Sequence, residues 1–515
     1  MLAKRWRHSA HFERQEWEGA MAYFLTVDGG TESLRARIYD LKGTCLGSHA
    51  ETYKTTFSAG ARAEQNPADW WANFLIASKV AIKEAGVDPA QIEAITCATT
   101  CCSVVALDKE GHALRPALIW MDVRANKEAD AVLATGDAAL DLNSAGAGPV
   151  SAEWMIPKAL WLKRNEPEIY DKAHRICEYQ DYMTYHLTGE WAASLDNVGL
   201  RWHYRNRDGG WATSLVNALG MGDLLDKWPD RVVAPGDVVG TLTASAANEL
   251  GMPQSTKVVQ GGADALIGMI GLGVAKPGQI AMVTGSSHLQ FGVTEAPLSA
   301  PGVWGAYADI VYPDRYIVEG GQTSTGSIIN WLGRLTGGLD FDELNAKAAE
   351  LAPGSDGLIV QDHFQGNRTP YTDPLSRGAI VGLTLAHEKH HIFRAMMEGI
   401  GFGTRAILDA FKAAGYAADE MTVGGGASAS QLWLQIHADT SGLPVRVPSS
   451  PDAPSTGSAV LAAHGAGHFA TIDDGIAAMV HPGRTIDPIA ANVAQYRDIY
   501  DRYRALYPAL KGVQR

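Results

Sequence analysis

The sequence predicts an α/β protein of two similar halves, and three observations carry that expectation. The chain has 515 residues, too many for a single hydrophobic core, so two domains of roughly 250 residues each are the natural division. Short apolar strands alternate with stretches of helical periodicity, the pattern of a layered α/β fold. One arrangement also occurs twice: an apolar strand, a turn of small and hydroxylated residues, and a second apolar strand. It opens the chain at Tyr23–Tyr39 and returns at Gln279–Val293, which suggests an internal duplication.

Taken in order, residues 22–53 hold three strands, Tyr23–Val27, Leu34–Tyr39 and Cys45–Tyr53, the last after a turn at Leu41–Gly43. Helical spacing runs over Trp70–Ala85. Strands at Ile92–Thr96 and Val104–Leu107 flank the small polar run CATTCCS, and helices follow near Ala125–Leu133 and Trp154–Asn165. The pattern restarts near residue 255 with a strand at Lys257–Gln260, the segment GGAD, and the hairpin Gln279–Thr284 and His288–Val293. The second half continues with a strand at Tyr316–Val318 and helices at Ser327–Leu335 and His391–Ala413. Strands at Met421–Val423 and Pro444–Val447 and helices at Gln431–Thr440 and Ser458–Gly465 complete it. The seam is expected near Leu250–Thr256. This gives a first domain over residues 21–255 and a second over 256–515.

Bulk composition narrows the function. Hydrophobic residues make up 46% and charged residues 19%, an ordinary globular balance, and the net charge is −14. That charge argues against broad nucleic-acid or anionic-membrane binding but leaves room for a local anion site. The five cysteines, Cys45, Cys97, Cys101, Cys102 and Cys177, form no C-x-x-C pair. Cys101 and Cys102 are adjacent, an awkward geometry for a mutual disulfide, so free thiols in a reducing cytoplasm are expected. No apolar run approaches the roughly 18 residues of a membrane helix, since the longest, Ala265–Ala275, is broken by glycines. Residues 1–20 are polar and lack an apolar signal core. They are expected to be a disordered leader or the result of a start codon placed too early; Glu13, Glu16 and Glu18 count against a targeting segment.

Several turns carry chemistry. In DGGTESLR, Asp28 precedes Gly29, Gly30, Thr31, Ser33 and Arg35. Glycines let backbone N–H groups approach a phosphate, and hydroxyls add donors. A carboxylate there repels phosphate unless a cation lies between, which places Asp28 near Mg²⁺. A plain D-G hairpin would use the same residues. The turn TGSS, Thr284–Ser287, has the same chemistry in the second half, and GGGAS, Gly424–Ser428, joins a strand to a helix where an N-terminus offers free donors. Asp264 in GGAD follows an apolar strand; it suits a general base or a helix cap. Asp122 and Arg124, Glu153 and Lys158, and Glu319 and Gln322 are polar groups in apolar surroundings that would suit a polyol, or simple structural partners. His387-Glu388-Lys389-His390-His391 matches H-E-x-x-H, but the match is expected to straddle a helix start, so that its imidazoles would not share a face. The chain has no G-x-x-x-x-G-K-[ST], no G-x-G-x-x-G and no G-x-S-x-G, so P-loop, Rossmann and hydrolase-elbow readings lack their motifs.

Together these motifs resemble the FGGY carbohydrate kinases, relatives of glycerol kinase and xylulokinase, from Met21 to about Gly467. DGGTESLR, GGADALIGMIGLGVAKPGQIAMVTGSS, EGGQTSTGSIINWL, EGIGFGTR, GGGASASQLWLQIHAD and PSTGSA occur in the family's order. The resemblance implies two actin-like, RNase H-like domains with an inter-domain active-site cleft, and phosphoryl transfer from MgATP to a sugar hydroxyl. It implies Asp28 at the metal, aided by Gly30, Thr31, Ser33 and Arg35, and Asp264 as the base. Gly285 and Ser286 would meet phosphate, and Gly326, Asn330, Gly425, Gly426 and Ser430 would line the nucleotide. Glu32 stands where glycerol kinase has Thr, and Thr100-Cys101 where it has Arg-Glu, which disfavours glycerol. TTCCSVVALD, IWMDVR and EWMIPK are closer to ribulokinases, which implies a sugar site of Thr100, Cys101, Asp122, Lys158, Asp264 and Glu319. The substrate expected is D- or L-ribulose, with ribitol or xylulose as the alternatives. The contrasting class is a non-catalytic actin-like nucleotide-binding protein. Partners are expected to be a small sugar and, by family analogy, a second copy in a homodimer, with no nucleic acid or membrane.

Overall fold

The protein is described here by a computed structural model covering residues 22–229, 231–450 and 452–514. Residues 1–20, the expected leader, lie outside the described residues. Two large sheets organise the chain. The first has six strands in the order Val238–Thr241, Lys257–Val259, Ile92–Thr99, Tyr23–Gly29, Ser33–Asp40, Cys45–Thr52. The second has seven, in the order Trp304–Ala308, Tyr316–Gln322, His288–Thr294, Gln279–Thr284, Glu420–Gly425, Val445–Val447, Arg484–Ile486.

The two sheets share a plan. In each, the leading strand pairs antiparallel with its hairpin partner and parallel with a later strand: Tyr23–Gly29 with Ser33–Asp40 and Ile92–Thr99, and Gln279–Thr284 with His288–Thr294 and Glu420–Gly425. The expected duplication is present as repeated strand order. The expected seam falls just before a strand that the first sheet takes. Lys257–Val259, just past the seam expected at residues 255/256, pairs parallel with Ile92–Thr99 in the first sheet. A short apolar strand carries no mark of which sheet will accept it; only the available edge decides.

Local chemistry explains the element ends. Helix Pro67–Ala85 starts at Asn66, whose side chain accepts the Ala68 N–H at 3.3 Å, has Pro67 in its first turn, and stops at Gly86 in the left-handed region (φ 66°). Strand Ser33–Asp40 alternates buried and half-buried residues along much of its length. The helix read as Ser458–Gly465 spans Ala453–Ala466, because Asp452 caps it by accepting the Ser455 N–H at 3.0 Å and Pro454 suits its first turn. His387 lies before helix Lys389–Ala413, whose N-cap is Glu388, so H-E-x-x-H straddles the helix start.

A five-stranded sheet (Thr56–Ser58, Arg62–Gln65, Ala117–Leu118, Val104–Leu107, Arg175–Glu178) extends the first lobe, with helix Met155–Asn165 and a core rich in tryptophan, including Trp154, Trp202 and Trp228. The lobes meet through helices Asp264–Gly271 and Ala453–Ala466. Their backbones approach so closely that a Cβ on Gly271 would lie 1.9 Å from the Ala453 carbonyl oxygen, and one on Gly457 2.0 Å from that of Ile267. Gly457→Ala is therefore expected to destabilise the protein by ~3 kcal/mol, since the overpacking outweighs the ~1 kcal/mol that alanine adds to helix propensity. Urea unfolding of the variant checks this.

Candidate active site

Three adjacent strand ends assemble the first part of the site. Asp28 is the penultimate residue of Tyr23–Gly29; beside it, Thr99 N–H donates to the Gly262 carbonyl at 3.0 Å, and Thr100 N–H to that of Gly29 at 2.9 Å. Thr99 also bridges Ala263, so Asp264 comes to the same edge as Asp28 and Thr100. Ligands in α/β sheets bind at such carboxyl ends. Asp264 is the first residue of its helix, and its carboxylate accepts the Ala265 N–H at 2.7 Å. Burial raises the Asp264 carboxyl to about 6. Asp28 is pushed further, to about 8, by burial and then by the charges of Asp452 and Asp264, against the pull of Arg35 and Arg37.

Asp452 was absent from the sequence reading. It immediately precedes a helix, and caps of that kind are common. Here it joins the lobes: its carboxylate pairs closely with Arg37 and lies 3.5 Å from Arg35, while Arg37 also donates to Ser455 Oγ at 2.7 Å. Asp196 was missed as well. Its carboxylate accepts the Ala263 N–H at 2.9 Å and so fixes the residue before Asp264.

The second lobe brings its glycine turns together. Thr284 Oγ1 donates to the Gly424 carbonyl at 2.7 Å, and Thr325 and Ser327 donate their N–H groups to the Ser286 carbonyl at 2.8 and 3.2 Å. Gly326 has to be glycine, since its Cβ would meet the Gly285 carbonyl oxygen at 2.5 Å. Gly285, Ser286, Gly425 and Gly426 are exposed, and nothing lies within 4 Å of a Cβ built on Gly426, so this backbone edge is open to a phosphate chain. Asn330 is exposed one turn along helix Gly326–Leu335. Ser430 is the N-cap of helix Gln431–Ser441, accepting the Trp433 N–H at 3.3 Å.

In the first turn, Gly30 N–H donates to the Ser33 carbonyl at 3.0 Å, and the Thr31 hydroxyl accepts the Trp120 indole N–H at 2.9 Å. Gly29 is glycine for packing, because its Cβ would lie 2.8 Å from the Tyr179 ring.

Between the lobes, Glu319 is buried and bound by two arginines that sequence reading overlooked. Arg201 Nη2 donates to both carboxylate oxygens at 2.8 and 3.0 Å, and Arg368 Nη2 to one at 2.5 Å. Burial works to raise Glu319, but Arg201 and Arg368 outweigh it and hold the carboxyl below its usual value. Arg201, Arg368, Glu153, Trp154, Trp304 and Asn367 line a cavity of about 240 Å³. The buried Trp304 indole N–H has no partner among the described residues.

Two expected sugar ligands are occupied by the chain itself. Asp122 accepts the Ala63 N–H at 2.7 Å and Arg124 Nη2 at 2.6 Å. Lys158 is fully buried and donates to the carbonyls of Cys102, Leu118 and Ile119 at 2.7, 3.1 and 2.7 Å. Direct contact of either with a sugar would require breaking these bonds. Sequence shows a charge among apolar residues but not the carbonyls that surround it.

Asp28 binds a proton more readily folded than unfolded, so its penalty is absent below its ordinary value near 4 and grows as pH rises toward about 8. Asp28→Asn is expected to melt above the parent protein at pH 8, with the gap closing toward pH 4. Thermal melts of both proteins across that range check it.

Comparison with known proteins agrees with this architecture. The family model described as "FGGY family of carbohydrate kinases, N-terminal domain" matches residues 23–271, and the corresponding C-terminal domain model matches residues 280–466. The FGGY carbohydrate kinase domain-containing protein of Homo sapiens is 30% identical, over 94% of this chain and 96% of its own length. A ribulokinase of Shouchella clausii is 28% identical over 94% of each chain. The crystal structure of a xylulose kinase from Rhodospirillum rubrum superposes with a TM-score of 0.86 at 26% identity, covering 96% of this chain and 99% of that one.

Proposed function

Because the chain belongs to the FGGY family of carbohydrate kinases and is a sugar kinase, we propose that it transfers the γ-phosphoryl group of ATP to a hydroxyl of a pentulose, D- or L-ribulose, with Asp264 as general base. The observation that carries this reading is the position of Asp264. It lies at the strand ends beside Asp28 and Thr100, and its one hydrogen bond among the described residues is from the Ala265 N–H. A carboxylate so placed, with its proton affinity raised to about 6, accepts a hydroxyl proton near neutral pH.

The donor set also suits Mg²⁺. Asp28 and Asp264 offer hard carboxylate oxygens in one cleft, each raised by burial, Asp28 despite the pull of Arg35 and Arg37. When bound, Mg²⁺ supplies charge neutralisation on the transferring phosphoryl group. Arg35 is a half-buried cation beside the first turn, its side chain 40% accessible and loosely paired with Asp452 at 3.5 Å, which suits an anionic phosphate. The open edge at Gly285, Gly425 and Gly426 accommodates the nucleotide tail.

For the sugar, the cavity's size and balanced charge favour a small neutral polyol over a sugar acid. Both lining arginines are engaged by Glu319, Glu153 adds a carboxylate, and the free Trp304 donor serves a hydroxyl or carbonyl oxygen. Ribulose follows from the ribulokinase-like motifs and the ribulokinase relative; xylulose is the second reading, favoured by the xylulose kinase structure. Ribitol is the third, since one stereocentre or carbonyl decides among them.

Assaying ADP release with D-ribulose, L-ribulose, D-xylulose and ribitol tests the substrate. Fastest turnover with a hexose or glycerol would refute the pentulose assignment. Asp264→Asn is expected to lower kcat by ~10²–10⁴-fold while leaving ATP affinity nearly intact. In the parent enzyme kcat/KM is expected to rise with pH through about 6 and then level, because the base works only when ionised.

A further inference from the structure

Cys102 has a backbone conformation that its side chain disfavours. Its φ is +62°, in the left-handed region usually left to glycine. Strain of this kind persists only where surrounding structure enforces it, and it gathers at functional sites. Both peptide groups of Cys102 are held by buried charges: its N–H donates to Glu178 Oε2 at 2.8 Å, and its carbonyl accepts from Lys158 Nζ at 2.7 Å. Both charged side chains are fully buried. Burying such charges is costly unless every polar atom is used, and these are well used. The remaining Lys158 bonds hold Leu118 and Ile119, next to Trp120, which donates to Thr31 in the first turn. Glu178 also accepts from Asn197 Nδ2 at 2.8 Å and the Trp202 indole at 2.6 Å, and these flank Arg201, the partner of Glu319.

We propose that Lys158 and Glu178 are positioning residues, a clamp that holds Cys102 in its left-handed conformation and thereby presents Thr100 and Cys101 to the sugar. The turn is anchored at its other end by the Thr100 N–H bond to Gly29. Cys101 is partly exposed, whereas Cys102 is 2% exposed, and the two sulfurs lie 3.8 Å apart on the same side of the turn. Lys158 thus acts on the sugar through the backbone and not by direct contact. The inference rests on the sugar-kinase reading of the site.

The test uses the full-length enzyme and the pentulose of the panel that the parent protein phosphorylates fastest. Lys158→Met is expected to raise KM for that sugar about tenfold, with KM for ATP unchanged. Adding Cys102→Gly to Lys158→Met should bring the sugar KM back to within about threefold of the parent value, since glycine adopts the left-handed conformation without a clamp. Failure of glycine to rescue a folded Lys158→Met variant would overturn the proposal, because a lysine that touches the sugar cannot be replaced by backbone freedom. If Lys158→Met does not fold, Cys102→Val in the otherwise intact protein replaces it. A β-branched residue resists the left-handed region, so the sugar KM should rise with a parent-like ATP KM, and an unchanged sugar KM would overturn the clamp. Absence of turnover by the parent protein with every sugar would instead count against the substrate reading itself.

Discussion

The active-site geometry depends on one close contact, the crossing of helices Asp264–Gly271 and Ala453–Ala466. At Gly271 and Gly457 each helix touches the backbone of the other with no side chain between. This contact fixes how far apart the two sheets stand. One helix begins with Asp264 and the other with its cap, Asp452, so the same crossing sets two of the cleft's carboxylates relative to Asp28. A looser crossing would separate the acid from the turns it serves. Tertiary packing thus positions the chemistry through the starts of the helices it locks.

The cleft also gathers carboxylates that the nearby arginines only partly balance. Asp28 and Asp264 are both raised by burial, and Asp28 further by its acidic neighbours. Several buried carboxylates elsewhere are paired with arginine: Glu319 with two, Asp122 with Arg124, and Glu398 with Arg394 at 2.9 Å. Asp28 and Asp264 stand apart from these in carrying no direct ion pair among the described residues, so their proximity weakens the folded protein wherever both are ionised.

Legibility in the sequence followed the range of the interactions involved. Strand Gln279–Thr284 was read to the residue, and Val104–Leu107 likewise, because apolar runs between turn residues are local signals. The glycine turns at residues 285 and 425–426 were found because a phosphate-compatible backbone needs specific residue types in a short stretch. Arg201, Arg368 and Asp452 were missed. Each is one charged residue among many, and its meaning comes from a partner 118, 49 or 415 positions away, the separations of Arg201 and Arg368 from Glu319 and of Arg37 from Asp452. Lys158 was noticed, but its partners were not. A lysine among apolar residues looked like a ligand, and the carbonyls that satisfy it come from residues 102, 118 and 119.

The sequence by itself determined the duplicated α/β plan, the family, the order of the glycine turns and the placing of Asp28 at a strand end and Asp264 at a helix start, because all of these are written in short-range patterns of polarity and turn chemistry. Tertiary structure alone decided that Lys257–Val259 joins the first sheet, that Asp452 reaches Arg37 across the lobes, and which buried charges are free and which are spent. Such facts depend on hydrogen-bond partners and sheet edges brought together from distant parts of the chain, and no local pattern encodes which ones will meet.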